Sequence, residues 1–331
     1  MNDFEHRHSG HCESGTVAAL LRHGGLDLSE PMVFGIGGAL FFLHQPLIRV
    51  GGIPLTSYRD APRAIIKNIG KRLNIRWRQH RYYRQETGKQ ALDAFLAAGR
   101  PVGVQTSIYW LPYFPMEMRF HFNGHNLVVY GKRGDDYLIS DTVVETVVTC
   151  RSDDLQRARF AKGPFSPRGL IYYPEQVPAN PDLKPAVRDA IRYTARRMVR
   201  TPIPFLGVRG IHWLARKMEH WPEKLGIEQA RLWVGSVVRM QEEIGTGGAG
   251  FRFMYAAFLQ EAADLLDNAV LRETARDLTL TGDRWRDFAV QGALLVKKRE
   301  TGSDAFARLA ALLHECGDRE QEIFTRLSHV V

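Results

Sequence analysis

His11-Cys12-Glu13-Ser14-Gly15-Thr16, followed at once by the apolar run Val17 to Leu21, decides how this chain is read. A cysteine just ahead of a helical run faces the positive end of the helix dipole. It also meets backbone N–H groups that have no partner inside the helix, and both effects favour the thiolate. Downstream, a histidine stands in Gly124-His125-Asn126-Leu127-Val128-Val129-Tyr130-Gly131 and an aspartate in Tyr137-Leu138-Ile139-Ser140-Asp141. Both stretches read as strands, with Gly134-Asp135-Asp136 as the turn between them. In an antiparallel pair the start of one strand lies beside the end of the next, so His125 and Asp141 are expected to meet. An imidazole can hold the thiol's proton, and an aspartate can fix its tautomer and orientation. Cys12, His125 and Asp141 are therefore the candidate catalytic set of a covalent acyl-transfer catalyst. Taken singly, each has a plainer reading: a small buried hydrophobe, a core histidine, a turn residue. Their order, on suitable elements, favours catalysis.

At 331 residues the chain is long enough for two domains and a substantial core. Hydrophobic content of 44% and charged content of 24% argue against disorder. The net charge of +9 points to an acidic partner, whether nucleic acid, an anionic membrane surface or an acidic protein. The cysteines (Cys12, Cys150 and Cys316) are odd in number and far apart, with no CxxC pair, so neither a disulfide framework nor a zinc site is expected. Met1 to Gly10 is polar and histidine-rich, unlike a secretory signal. The apolar stretch Pro31 to Leu43 is too short to span a bilayer. A reducing cytoplasm fits these features.

The chain changes character near residue 180. Before it, helices are expected over Thr16–Arg22, Ala61–Lys71 and Lys89–Ala98. Strands are expected at Ile75–Arg78, Val102–Ser107, Asn126–Tyr130, Tyr137–Ser140, Val143–Thr149 and Leu170–Tyr173. Pro174, Pro178, Pro181 and Pro185 then mark a connector. After it the pattern is helical: Ala186–Arg200, Gly210–Glu219, Glu228–Ile244, Phe251–Asp267, Val270–Lys298 and Asp304–Leu327. The expected architecture is α+β: an N-terminal domain over residues 1–178 and a mostly α-helical domain over 179–331.

The opening His-Cys-Glu-Ser-Gly-Thr, with Leu26-Asp27-Leu28-Ser29-Glu30 and Phe34-Gly35-Ile36-Gly37-Gly38, resembles the N-terminal domain of the butirosin biosynthesis protein H family. Gly124-His125-Asn126 and Ser140-Asp141 are similar to the His and Asp segments of bacteriocin-processing cysteine peptidases. Gly247-Gly248-Ala249-Gly250-Phe251-Arg252-Phe253-Met254-Tyr255 is similar to the helical domain that follows in the butirosin-type family. The resemblance implies a papain-like cysteine-peptidase-type fold turned to acyl transfer in specialised metabolite (antibiotic) biosynthesis. It implies that Cys12 takes an acyl group from the phosphopantetheine thioester of an acyl carrier protein. An amine then attacks, His125 takes its proton, and an amide forms. No bound cofactor, ATP or metal is called for. The backbone N–H of Cys12 is the first oxyanion donor. For the second, the resemblance points to His6 or His8, where a glutamine often serves, and Asn126 joins these as a candidate oxyanion or substrate-binding residue. Arg252 and Tyr255 are candidates for contact with substrate.

Other features carry weaker signals. His6, His8, His11 and Cys12 contain good zinc ligands, but their spacing matches no common zinc pattern and a filled site would disable the nucleophile. Gly245 to Gly250 lacks the Lys-Ser or Lys-Thr of a phosphate loop. Arg76-Trp77-Arg78-Gln79-His80-Arg81-Tyr82-Tyr83-Arg84 reads as a solvated edge strand, a nucleic-acid contact or a dock for an acidic carrier. Arg188, Arg192, Arg196, Arg197 and Arg200 share the last of these readings. The apolar Phe34–Phe42 stretch reads as core before acyl tunnel. An amide-forming acyltransferase is the leading function, with a peptidase or thioesterase on the same residues as alternative and a noncatalytic nucleic-acid-binding protein as the third. Neither nucleic acid nor membrane is expected as partner under the leading reading, and a homo-oligomer is left open.

Overall fold

The computed structural model describes residues 4–50, 52–299 and 304–330; residues 1–3 of the polar N-terminal stretch lie outside the described residues. In chain order the elements of the first half are α1 (Cys12–His23), α2 (Glu30–Ile36), β1 (Leu40–Val50), β2 (Ile53–Arg59), α3 (Ala64–Arg72), β3 (Arg76–His80), α4 (Gln85–Ala97), β4 (Val102–Thr106), β5 (His125–Arg133), β6 (Asp136–Ser140), β7 (Val148–Arg151), α5 (Ser152–Arg159) and β8 (Ile171–Gln176). The second half holds α6 (Leu183–Arg200), α7 (Gly207–Glu219), α8 (Trp221–Leu225), α9 (Ile227–Glu242), α10 (Arg252–Leu266), α11 (Ala269–Val296) and α12 (Asp304–Val330).

The chain divides into two compact units, and the first comprises Met1–Val33 and Ile65–Asp182. Its centre is an antiparallel six-stranded sheet in the order β3-β8-β4-β5-β6-β7. Val102, Val104, Leu127, Val129, Ile139 and Ile171 join Leu92 of α4 and Leu155 of α5 in one wholly buried cluster. Burial of such branched side chains is worth about 1.5–3 kcal/mol each and holds the sheet's register. Helix α1 packs against β5, β4 and β8, with Glu13 to Leu21 buried throughout.

The β5–β6 register positions the site. Near the turn, Arg133 opposes Asp136, Lys132 opposes Tyr137 and Gly131 opposes Leu138. Beyond a bulge at Tyr130 the partners become Val129 with Ile139 and Val128 with Ser140. Continued by one residue, this register sets Asp141 opposite Leu127, on the face His125 shares. Without the bulge Asp141 would oppose Val128, on the other face, because one residue of slip inverts the side-chain pattern.

The second unit comprises Phe34–Ala64 and Leu183–Val331. The single boundary at 178/179 expected from the sequence is therefore replaced by a discontinuous division, in which residues 34–64 belong with the helices. They form the hairpin β1–β2, which the sequence reading did not contain. Phe34, Leu40 and Phe42 are wholly buried core residues here. Phe34 stacks on Phe251 at 4.9 Å.

A buried ion pair sits within this unit. Arg252 and Glu320 are both 0% exposed and make two contacts, Nε to Oε1 at 2.8 Å and Nη2 to Oε2 at 3.0 Å. Trp285 Nε1 donates to Glu320 Oε1 at 2.6 Å, and Arg252 Nη1 donates to the Gly250 carbonyl at 2.8 Å. Removing one partner strands a buried charge. Glu320→Ala is expected to cost roughly 3–5 kcal/mol in denaturant unfolding, and an Arg252→Met/Glu320→Leu double variant distinctly less. Equal losses in the single and double variants would show that packing, not charge, sets the cost.

Candidate active site

The loop before α1 is held from several sides. His11 is the N-cap of α1, its Nδ1 accepting from the Ser14 N–H at 3.3 Å. Glu30 braces the same turn: its carboxylate accepts from the backbone N–H of Gly10 and of His11, each at 2.8 Å, and from the Ser14 hydroxyl at 2.9 Å. Burial pushes the Glu30 carboxyl up, and these three donors act against that shift. Cys12, partly exposed, is thereby fixed as the first residue of the helix.

Gly15 explains the next constraint. A Cβ there would lie 2.5 Å from Thr142 Oγ1 and 2.7 Å from Ser9 Cβ, so a glycine lets α1 press against the residue that follows Asp141. The Ser9 N–H donates to the Thr142 carbonyl at 2.6 Å. The stretch before the cysteine and the loop after the aspartate are thus tied to each other directly.

His125 opens β5, and its Nε2 lies 2.6 Å from Asp141 Oδ2. The Cys12 side chain acts electrostatically on the same ring, whose Nε2 is taken by Asp141, so Nδ1 is the nitrogen left for the sulfur. Burial lowers the proton affinity of His125, but the Asp141 carboxylate and the Cys12 side chain overcome it and raise the pKa to about 10. The imidazole is therefore charged at neutral pH. Asp141 is 0% exposed. Its Oδ2 also accepts from the Tyr113 hydroxyl at 2.7 Å, and Oδ1 from the Val143 N–H at 3.3 Å. Phe114 meets the His125 ring edge-on, with centroids 5.5 Å apart. An open groove of about 1110 Å³, lined by Tyr113, Tyr130, Leu138 and Val147 among others, reaches Tyr113 but is not lined by Cys12, His125 or Asp141.

Cys12, His125 and Asp141 are thus brought together. The remaining sequence candidates have other surroundings. His6 has both ring nitrogens engaged, Nδ1 with Ser140 Oγ at 2.8 Å and Nε2 with the Val144 carbonyl at 3.1 Å, so it braces the loop around Asp141. His8 is exposed. Asn126 is buried, donating to the Gly124 carbonyl at 3.0 Å and accepting from the Tyr172 hydroxyl at 2.9 Å. Arg252 and Tyr255 are wholly buried in the helical unit, Arg252 against Glu320, which withdraws them as substrate contacts. Among the described residues no three His, Cys, Asp or Glu side chains are grouped to hold a metal. The Arg76–Arg84 stretch contains the sheet's edge strand β3, where Arg76 and Arg78 pair with Glu175 of β8 at 3.6 and 2.8 Å. Tyr113, Glu30 and the bulge at Tyr130 were not read as site features from sequence. None belongs to a motif whose spacing announces its role.

An α+β unit with a helix-start cysteine, a strand histidine and a buried aspartate is the arrangement of a papain-like cysteine enzyme. Two family profiles match. The chain belongs to the family described as Domain of unknown function (DUF4872), which matches residues 153–327. Residues 11–142 match Butirosin biosynthesis protein H, N-terminal, in agreement with the resemblance read from the sequence. No curated protein matches this chain. A crystal structure described as a C39-like peptidase from Bacillus anthracis aligns with a TM-score of 0.38 at 13% identity, covering 54% of this chain and 98% of that one. That likeness is too distant to carry an argument. The N-terminal family and the site geometry fit a cysteine-type enzyme, acyltransferase or peptidase. Among the described residues no helix is long and apolar enough to cross a membrane.

Gly15→Ala tests the close approach. It is expected to cost roughly 1–3 kcal/mol of stability. It should also slow chloroacetamide labelling of Cys12 at pH 7 several-fold, read by intact mass. Unchanged labelling would mean that the contact with Thr142 does not set the site. In the unmodified protein Cys150 and Cys316 should label far more slowly, since burial pushes both thiols up, Cys150 to about 12.

Proposed function

We propose that the protein is a cysteine-dependent acyltransferase that moves an acyl group from an acyl carrier protein thioester to an amine, forming an amide in specialised metabolite biosynthesis. The observation that carries the reading is a charged His125, held by the buried Asp141 and raised further by the Cys12 side chain. The match to Butirosin biosynthesis protein H, N-terminal, supports the class of pathway.

In the first half-reaction the Cys12 sulfur attacks the thioester carbonyl carbon, and the backbone N–H of Cys12 donates to the developing oxyanion. The tetrahedral intermediate collapses, the carbon–sulfur bond to the carrier breaks, and the departing thiolate takes the proton of the His125 imidazolium. Acylation removes the Cys12 side chain as an electrostatic partner of His125. That contribution had raised its proton affinity, so the neutral ring that results is suited to act as base. An amine then attacks the acyl-enzyme, His125 accepts its proton, and Cys12 leaves. One thioester is exchanged for one amide, a downhill change that asks for no ATP, metal or bound cofactor.

The carrier fits the basic character of the chain. Arg188, Arg192, Arg196 and Arg200 recur every four residues along α6 and so share a helix face. Arg197 is engaged with Asp60 at 2.5 Å. Carrier affinity should fall steeply between 50 and 300 mM salt, and an Arg188→Ala/Arg196→Ala variant should flatten that dependence. Salt-insensitive binding in isothermal titration would remove this surface.

The deciding experiment incubates acyl-loaded carrier with the protein, with and without amines. Amide product that is absent from Cys12→Ala, and reduced about 10²–10⁴-fold in His125→Ala, is the expected result. Free acid alone would assign a thioesterase with water as acceptor. Full activity in Cys12→Ala would overturn the reading and return a noncatalytic binding role to consideration.

A further inference from the structure

We infer that Tyr113 is a positioning residue of this site: its hydroxyl anchors Asp141 and shares with His125 the carboxylate oxygen on which the imidazole depends. The inference rests on the reading that Cys12, His125 and Asp141 form the reacting set, and it adds a fourth side chain to it.

The geometry comes from two directions. Asp141 Oδ2 receives two donors, Tyr113 Oη at 2.7 Å and His125 Nε2 at 2.6 Å. A wholly buried carboxylate needs such donors to stay ionised, because each lost bond leaves charge uncompensated in a low-dielectric interior. Tyr113 is itself held in place. It lies between the buried anchors Leu111 and Phe114, in a stretch that begins with the short turn Ile108–Trp110. Arg119 Nε donates to the Phe114 carbonyl at 2.7 Å. The Phe114 ring meets His125 while its neighbour's hydroxyl meets Asp141, so one short segment braces both partners.

Burial and the adjacent carboxylate hold the Tyr113 phenol well above its ordinary range, so it remains a donor wherever the protein is folded. A donor on the shared oxygen draws negative charge away from His125. Tyr113 therefore moderates how tightly Asp141 holds the imidazolium. The other titratable groups facing this cluster are Cys12 and Glu13 of α1, Tyr172 of β8, Cys150 of β7 and His6, which joins the loop through Ser140. Tyr172 and Cys150 are kept neutral by burial.

The test follows the ¹⁵N shifts of the His125 ring from pH 5 to pH 11 in the full chain, assigned by comparison with His125→Gln. Tyr113→Phe should move the His125 midpoint upward by about one pH unit, as a donor to the charged carboxylate is lost. Site-specific replacement of Tyr113 by 3-fluorotyrosine keeps the packing and strengthens the donor, so it should move the midpoint downward. This second variant also serves if Tyr113→Phe does not fold. A midpoint unmoved by 3-fluorotyrosine, or moved upward by it, overturns the inference. A merely structural role would lower stability without these opposed shifts. Acyl-adduct formation on Cys12, measured in parallel, separates the two claims. Opposed shifts without any adduct sink the acyltransferase reading alone; a normal adduct with an unmoved midpoint sinks the role of Tyr113 alone.

Discussion

The contact on which the rest of the site depends is the buried hydrogen bond between His125 and Asp141, 2.6 Å long and closed to solvent. It exists because β5 and β6 are neighbours in the sheet and because one extra residue at Tyr130 shifts their register. That shift brings the aspartate to the face where the histidine lies. Given the pair, the neighbouring features have a common purpose. Gly15 lets the cysteine helix press on Thr142, Ser9 hydrogen-bonds the same residue, and Glu30 braces the turn that sets the height of Cys12. The sulfur, ring and carboxylate are therefore fixed by backbone geometry rather than by long flexible side chains, which is what a preorganised site needs.

The electrostatics follow from this enclosure. Opposed effects meet at His125: exclusion of water, which disfavours the charged ring, and the Asp141 carboxylate with the Cys12 side chain, which together outweigh it. The outcome is an imidazolium poised beside the Cys12 sulfur. A proton is ready for a departing thiolate in one half-reaction, and a base is available for an incoming amine in the next. The second compact unit uses an ion pair differently. Arg252 at the start of α10 and Glu320 within α12 tie the two helices together without access to solvent, so their charge serves packing and not chemistry.

Much of this was legible in the amino-acid sequence. The helix-start cysteine, the histidine opening a strand and the aspartate closing the next were readable because dipole, alternation and turn residues are local signals. The helices from Leu183 onward, except the short α8, were readable from apolar periodicity, with ends off by only a few residues. Other parts were not legible, for identifiable reasons. Leu40 to Arg59 is interrupted by Pro46, Gly51, Gly52 and Pro54, which hid a hairpin whose apolar side chains pack among helices far along the chain. The bulge at Tyr130 has no residue signature, since tyrosine there suits a regular strand equally well. Arg252 was read as a substrate contact because it follows the glycine-rich Gly245–Gly250 segment, and the partner that buries it, Glu320, lies 68 residues away. Tyr113 sits in an irregular stretch where spacing carries no information about which group a hydroxyl will reach.

The account's central claim is that the Cys12 sulfur carries the acyl group. The most direct measurement exposes the protein to an acyl-carrier thioester without amine, quenches in acid and maps the adduct by tandem mass spectrometry. The account predicts a single acyl mass on the peptide bearing Cys12, labile to neutral hydroxylamine as a thioester is, and absent when His125 is replaced. An acyl group on another residue, or amide formation that persists once Cys12 is alanine, would contradict it.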